Sequence, residues 1–81
     1  MSIMLYALST CPYCKMTKQF LSDHGVEYEA VDVDLLDGDE RQHVLTEVQR
    51  VSGGTSFPVL VCGDQHVVGY DQAKIKDLVG L

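Results

Sequence analysis

Two short apolar runs rich in β-formers, Ser2 to Ala7 and Tyr28 to Val33, enclose a stretch of helical period, and that order restricts this chain more than any other feature. Between them Tyr13, Met16, Thr17, Phe20 and Leu21 recur at helical spacing, and Gly25 after His24 is a stop signal. A βαβ unit is therefore complete within the first half. The acidic connection Asp34 to Glu40 follows. Val44, Leu45, Val48 and Val51 then set one face of a second helix, with Asp39 and Glu40 in its first turn and Gly53-Gly54 beyond its end. Pro58 to Cys62 predicts a strand opened by proline, Gly63-Asp64 a hairpin turn, and His66 to Val68 an antiparallel return. After Gly69, a last short helix carries Ile75, Leu78 and Val79. The order βαβαββα describes an α/β chain with a four-stranded mixed sheet flanked by helices. No repeat, linker or low-complexity segment divides it, so residues 1–81 are expected to form one domain.

A chain of 81 residues buries only roughly 60% of its unfolded surface, so the core must be compact. With 46% hydrophobic and 22% charged residues it has the balance of an ordinary globular domain, and a monomer is expected. Twelve acidic residues against six basic ones give a net charge of −6, which phosphate backbones and anionic lipid repel. Neither nucleic acid nor a membrane is an expected partner. The run Ile3 to Leu8 has no basic residue before it and is too short for a signal peptide or a span, so the expected location is cytoplasmic.

Three cysteines, two of them closely spaced, do not make the even framework of a disulfide-stapled secreted domain. Cys11-Pro12-Tyr13-Cys14 falls where the first strand gives way to the first helix, which puts Cys11 at a helix N-terminus with free N–H groups and the positive dipole end nearby. That setting lowers a cysteine pKa from about 8.5 into a range of roughly 3.5 to 7.5 and makes the sulfur a usable nucleophile. Pro12 suits the first helical position, where no donor is needed. Cys14, one turn on, is expected to be more buried and to act as the resolving thiol. Neither side chain is assigned to the core, so serine at either position is expected to leave the domain folded. The competing reading, half of a zinc site, needs four ligands, and Cys62, His24, His43 and His66 offer no second CxxC or HxxxH spacing. Cys62, at the end of a β-rich run, is expected in the core, and the three histidines at the surface. An EF-hand reading of the acids from Asp32 to Glu40 fails, because placing Gly38 sixth puts Val33 and Leu35 at ligand positions. These acids are expected to form a solvated loop and a helix start.

Cys11-Pro12-Tyr13-Cys14, Ser56-Phe57-Pro58 and Gly69-Tyr70-Asp71, at these intervals and over nearly the whole chain, resemble the glutaredoxins of the thioredoxin-fold class. The resemblance implies a thioredoxin fold and thiol–disulfide oxidoreduction of protein or mixed disulfides, with Cys11 attacking and Cys14 resolving. It implies a cis peptide before Pro58, which turns the Phe57 backbone groups toward a substrate, and a groove wall at Tyr13 beside Pro12. It also implies that Asp71, with Gln72 and the backbone around Gly69 and Tyr70, receives the γ-glutamyl end of glutathione, though Asp71 is equally suited simply to cap the last helix. Lys15 and Lys18 on the catalytic helix are candidates for holding an anionic substrate. No bound cofactor is expected. Glutathione is one candidate reductant, and a reductase of the thioredoxin-reductase kind is the other. Related redoxins donate electrons to ribonucleotide reductase, which makes that role the alternative within the class. An iron–sulfur or metal-binding module is the alternative outside it, and the intact Pro12-Tyr13-Cys14 speaks against it.

Three departures from the resemblance weigh against glutathione. Leu8 stands where such glutaredoxins usually carry a lysine that pairs with a glutathione carboxylate, and Val68 replaces one glycine of a Gly-Gly pair. Counted back from Pro58, Leu45 falls where a polar or basic residue commonly meets the glycine carboxylate.

Overall fold

The computed structural model describes residues 3–54 and 56–81. Its elements follow the expected order: β1 Ile3–Ala7, α1 Pro12–Asp23, β2 Glu29–Asp32, a 3₁₀ turn Val33–Leu35, α2 Gly38–Ser52, β3 Val59–Cys62, β4 Gln65–Val68 and α3 Gln72–Val79. The sheet order is β2-β1-β3-β4, with β2 parallel to β1 and the other two pairings antiparallel. This is the mixed four-stranded sheet with three helices that the resemblance implies. The expected first residue of β1, Ser2, lies outside the described residues.

One face of the sheet supports α1 and α3. Leu5 and Ala7 of β1, Leu60 and Cys62 of β3 and Val67 of β4 cluster with Cys14, Phe20 and Leu21 of α1 and Ile75 and Leu78 of α3. Leu5, Leu21, Leu60 and Ile75 are essentially without exposed surface, and each such burial stabilises the fold by about 1.5–3 kcal/mol. Val59 alternates with Leu60 along β3 and so points to the other face. There α2 contributes its one fully buried side chain, Val48. Val44, Leu45 and Val51 on the same helix are only half-buried. Thr17 is buried in α1 with its hydroxyl donating to the Tyr13 carbonyl at 2.9 Å, so no polar group is stranded there.

Two local expectations need correction. Val33 is not part of β2: β1 ends at Ala7, opposite Asp32, so the ladder gives out there and the Leu36 N–H closes onto the Val33 carbonyl instead. Asp34 lies in that 3₁₀ turn and not in a loop, whereas Asp39 and Glu40 are exposed in the first turn of α2 as expected, with Asp37 at its N-cap position.

Candidate active site

Strand register brings the distant segments of the site together. The antiparallel pairing of β1 with β3 ends at Tyr6 opposite Val59, so the next residues along each strand, Ala7 and Leu8, run beside Pro58 and Phe57. Across β3, Val59 is opposite Val68, and one step on, the Gly69 N–H donates to the Pro58 carbonyl at 2.8 Å. On the other side of β1, Ala7 is opposite Asp32, and the next steps bring Ser9 to Asp34. The β1–α1 connection, the 3₁₀ turn, the Phe57-Pro58 segment and the entry to α3 thus share one end of the sheet. The Phe57–Pro58 peptide is cis.

Cys11 caps α1 with its own side chain. Its backbone is extended (φ −82°, ψ 120°), and its sulfur accepts the Cys14 N–H at 3.3 Å. The chain enters this cap through a tight turn in which the Cys11 N–H donates to the Leu8 carbonyl at 3.2 Å. Pro12 occupies the first helical position, and Lys15 N–H returns to the Cys11 carbonyl at 3.1 Å. Cys11 is half-buried, whereas Cys14 is fully enclosed and takes the Leu8 N–H on its sulfur at 3.4 Å. Cys14 is therefore part of the core cluster, which corrects the expectation that neither thiol belongs to it.

The two sulfurs differ electrostatically. Partial burial works against the Cys11 thiolate, but the Cys14 thiol and the N–H groups of Cys14 and Tyr13 outweigh it and leave the Cys11 pKa below the ordinary thiol value. Burial first, and then the hydrogen bond that Cys14 gives to Cys11, push the Cys14 pKa up to about 11. One thiol is prepared to ionise and its neighbour to keep its proton and donate it. This arrangement suits a stepwise exchange in which the outer sulfur attacks first.

The remaining candidates lie on the segments that share this end of the sheet, and among them the Pro58 side chain is fully buried. Tyr13 is 60% exposed at the tip of α1. Phe57 and Tyr70 are half-buried against the core, and Tyr70 meets Phe20 edge-on with centroids 6.3 Å apart. Gly69 has φ +86°, a conformation that L side chains rarely adopt, and it turns the chain out of β4 toward Tyr70 and Asp71. Asp71 caps α3, with Oδ1 accepting the Lys74 N–H at 3.2 Å. Gln72 donates to the Tyr70 hydroxyl at 2.7 Å. Of the two lysines, Lys18 is engaged, its Nζ 2.8 Å from Asp32 Oδ1, and Lys15 is exposed. Cys62 is buried as expected, and His24, His43 and His66 are exposed. Among the described residues no three metal-ligating side chains converge.

Two features of this end carry no sequence signal of their own. A groove of about 300 Å³ beside the β1–α1 connection is walled by Leu8, Val33, Leu45 and Phe57, with Asp34 and Arg41 completing its lining. Asp34 also accepts two hydrogen bonds from Ser9. The parallel register of β1 and β2 brings Leu8 and Ser9 to Val33 and Asp34, the pairing of β1 with β3 adds Phe57, and α2 adds Arg41 and Leu45; a one-dimensional pattern does not display these meetings.

Comparison with known proteins agrees with this geometry. A sequence model of the family described as Glutaredoxin matches residues 3–67. The structure superposes on a crystal structure of a glutaredoxin from Archaeoglobus fulgidus with TM-score 0.94 and 46% identity, covering 96% of this chain and 85% of that one. Methanoredoxin from Methanosarcina acetivorans gives TM-score 0.93 and 38% identity over 99% of this chain and 85% of that one. A glutaredoxin-like 8.6 kDa protein of the rubredoxin operon in Clostridium pasteurianum is 30% identical over 77 residues, 95% of this chain and 96% of that protein. A dithiol at a strand-to-helix junction, this sheet order and these matches over nearly the full length make the chain a member of the glutaredoxin family, whose chemistry is thiol–disulfide exchange.

Proposed function

We propose that this protein reduces protein disulfides or mixed disulfides through a dithiol cycle at Cys11 and Cys14. The observation that carries the reading is the asymmetry of the pair, with Cys11 half-exposed and biased toward its thiolate and Cys14 enclosed and protonated. The Cys11 thiolate attacks one sulfur of the substrate, forming a mixed disulfide and expelling the other substrate sulfur as a thiolate that takes up a proton. With Cys11 no longer anionic, Cys14 gives its proton to water. It then attacks the Cys11 sulfur and releases the second substrate thiol. Two electrons pass to the substrate, and a Cys11–Cys14 disulfide remains for a reductant to open. Tyr13, Phe57, Gly69, Tyr70 and Asp71, at the same end of the sheet, supply substrate-binding surface, while the buried Pro58 sets the Phe57 backbone, which is suited to pair with an extended segment beside the substrate cysteine.

For the reductant we favour a protein of the thioredoxin-reductase kind over glutathione. Leu8 and Leu45 wall the same groove, which supports the count from Pro58 that set Leu45, like Leu8, at a glutathione-contact position. A charge-assisted contact contributes about 1.5–3 kcal/mol, so each cation lost costs tenfold or more in affinity. Of the cations that could stand in, Lys18 is held by Asp32 and Arg50 by Glu47, Arg41 donates to the Asp34 carbonyl at 3.2 Å, and Lys15 is exposed on α1. Electron donation to a protein acceptor such as ribonucleotide reductase fits the same departures. The test follows NADPH oxidation with a small mixed-disulfide substrate, comparing glutathione plus glutathione reductase with thioredoxin reductase alone. Turnover with the second system and little with the first is expected. Rapid, saturable turnover with glutathione and none with the other would overturn the choice of reductant, and no turnover with either would overturn the dithiol cycle.

A further inference from the structure

Asp34 belongs to none of the motifs, yet both of its carboxylate oxygens are committed to a residue beside the dithiol. Oδ1 accepts the Ser9 N–H at 2.8 Å and Oδ2 accepts the Ser9 hydroxyl at 2.5 Å. Ser9 sits inside the turn that Leu8 and Cys11 close. Leu8 in turn meets both cysteines, with its carbonyl taking the Cys11 N–H and its N–H reaching the Cys14 sulfur. One side chain from the 3₁₀ turn therefore ties down the short connection on which both sulfurs depend. Apart from the residues at its two ends, that connection has no other side-chain anchor in the described structure.

We propose that Asp34 is a positioning residue for thiol–disulfide exchange: by clamping Ser9 it holds the Leu8–Cys11 turn in the form that keeps the Cys11 sulfur at the N-terminus of α1, within reach of the Cys14 N–H. The proposal rests on the dithiol reading above and adds a part to it. Its action is geometric. A carboxylate by charge alone opposes a thiolate, so any help it gives Cys11 comes from where it holds the chain. The groups facing it agree, since Ser9 consumes both oxygens and the Arg41 guanidinium approaches from α2. The Ser9 hydroxyl and N–H hold the Asp34 carboxyl below the usual carboxylate range, as a clamp charged throughout the neutral region should be.

Asparagine and alanine separate geometry from charge. In Asp34→Asn the amide oxygen still accepts the Ser9 N–H and the amide nitrogen donates to the Ser9 hydroxyl oxygen, whereas Asp34→Ala removes both bonds. The readout is the rate of Cys11 alkylation against pH, followed by mass mapping, alongside kcat/KM for disulfide reduction. Asp34→Ala is expected to move the Cys11 midpoint to higher pH and to lower kcat/KM roughly tenfold at neutral pH. Asp34→Asn should restore both to within about twofold. Ser9→Ala, which keeps the N–H bond and loses the other, should shift the midpoint in the same direction by less, and it carries the test if Asp34→Ala does not fold. An unmoved midpoint in the folded alanine variant, or an asparagine variant as impaired as alanine, overturns the proposal. Because the alkylation profile needs no substrate, this result stands apart from whether the protein turns over disulfides.

Discussion

At one end of the sheet the chain reverses through local turns, at the bend around Gly25 and in the Gly63-Asp64 hairpin. At the other, four segments far apart in sequence meet: Leu8 to Cys11, the 3₁₀ turn, Phe57-Pro58 and Gly69 to Asp71. Each far turn joins neighbouring elements. The near end is held by bonds that cross the chain, Ser9 to Asp34 and Gly69 to Pro58, together with a sulfur that caps its own helix. The contrast shows where function is built in this fold. The plain end needs only turn chemistry, while the active end needs the sheet register to be right before any of its parts can meet.

Substitutions at the two ends should therefore differ in kind. The largest effect is expected from Cys11→Ser, which replaces a thiolate by a far weaker nucleophile and should lower disulfide reduction by at least about a thousandfold with the fold intact. A coupled NADPH assay with circular dichroism checks both halves, and substantial residual activity would remove Cys11 from its role.

Next in size is Leu8→Lys, which adds a cation to the groove beside the dithiol. If the apolar groove is what disfavours glutathione, its KM should fall by up to about tenfold while turnover with a protein reductase is unchanged or poorer. An unaltered KM would mean that the groove does not select the reductant.

Cys14→Ser probes the core side of the same end. The hydroxyl inherits the Leu8 N–H donor, so a loss of about 1 kcal/mol is expected on urea unfolding, too little to unfold the domain. The same variant carries a pH signature. Native Cys14 keeps its proton up to about 11, whereas the unfolded thiol releases it near 9. The folded state therefore binds more protons across that interval, and the stability of the reduced wild type should decline as pH rises through it. The serine variant should lack that decline. Cys11 acts with the opposite sign: its lowered pKa stabilises the reduced fold above the ordinary thiol range and loses that contribution as pH falls through its own titration.

The smallest effect on activity belongs to the plain end. Gly63 has φ +59° with open space where a Cβ would point, so Gly63→Ala should cost about 1 kcal/mol of backbone strain and leave disulfide reduction untouched. A change in turnover there would break the distinction between the two ends.

How much was legible in the sequence follows the same division. The strands, the helices and the hairpin were written in periods and turn residues, and Cys11 to Cys14 announced itself as a unit at a strand-to-helix step. The resemblance supplied the cis peptide before Pro58, which local pattern alone disfavours. The end of β2 at Asp32 was missed because Val33 is as apolar and β-branched as a strand residue, and only the ending of β1 at Ala7 stops the ladder. The clamp at Asp34 was hidden among the acids of a stretch that reads as solvated surface. The spacing of Cys14 marks it as buried but not as core, because the cluster it joins is assembled from β1, β3, β4 and α3 as well as its own helix.

The central claim is the division of labour between the two sulfurs, and mapping of oxidised species tests it most directly. Reduced wild type and Cys14→Ser are each treated with one equivalent of a small symmetrical disulfide, quenched with acid, and digested for mass analysis. The account predicts an internal Cys11–Cys14 disulfide in the wild type and a mixed disulfide confined to Cys11 in the variant. A mixed disulfide on Cys62, a bridge that includes Cys62, or no adduct on Cys11 in the variant would contradict it.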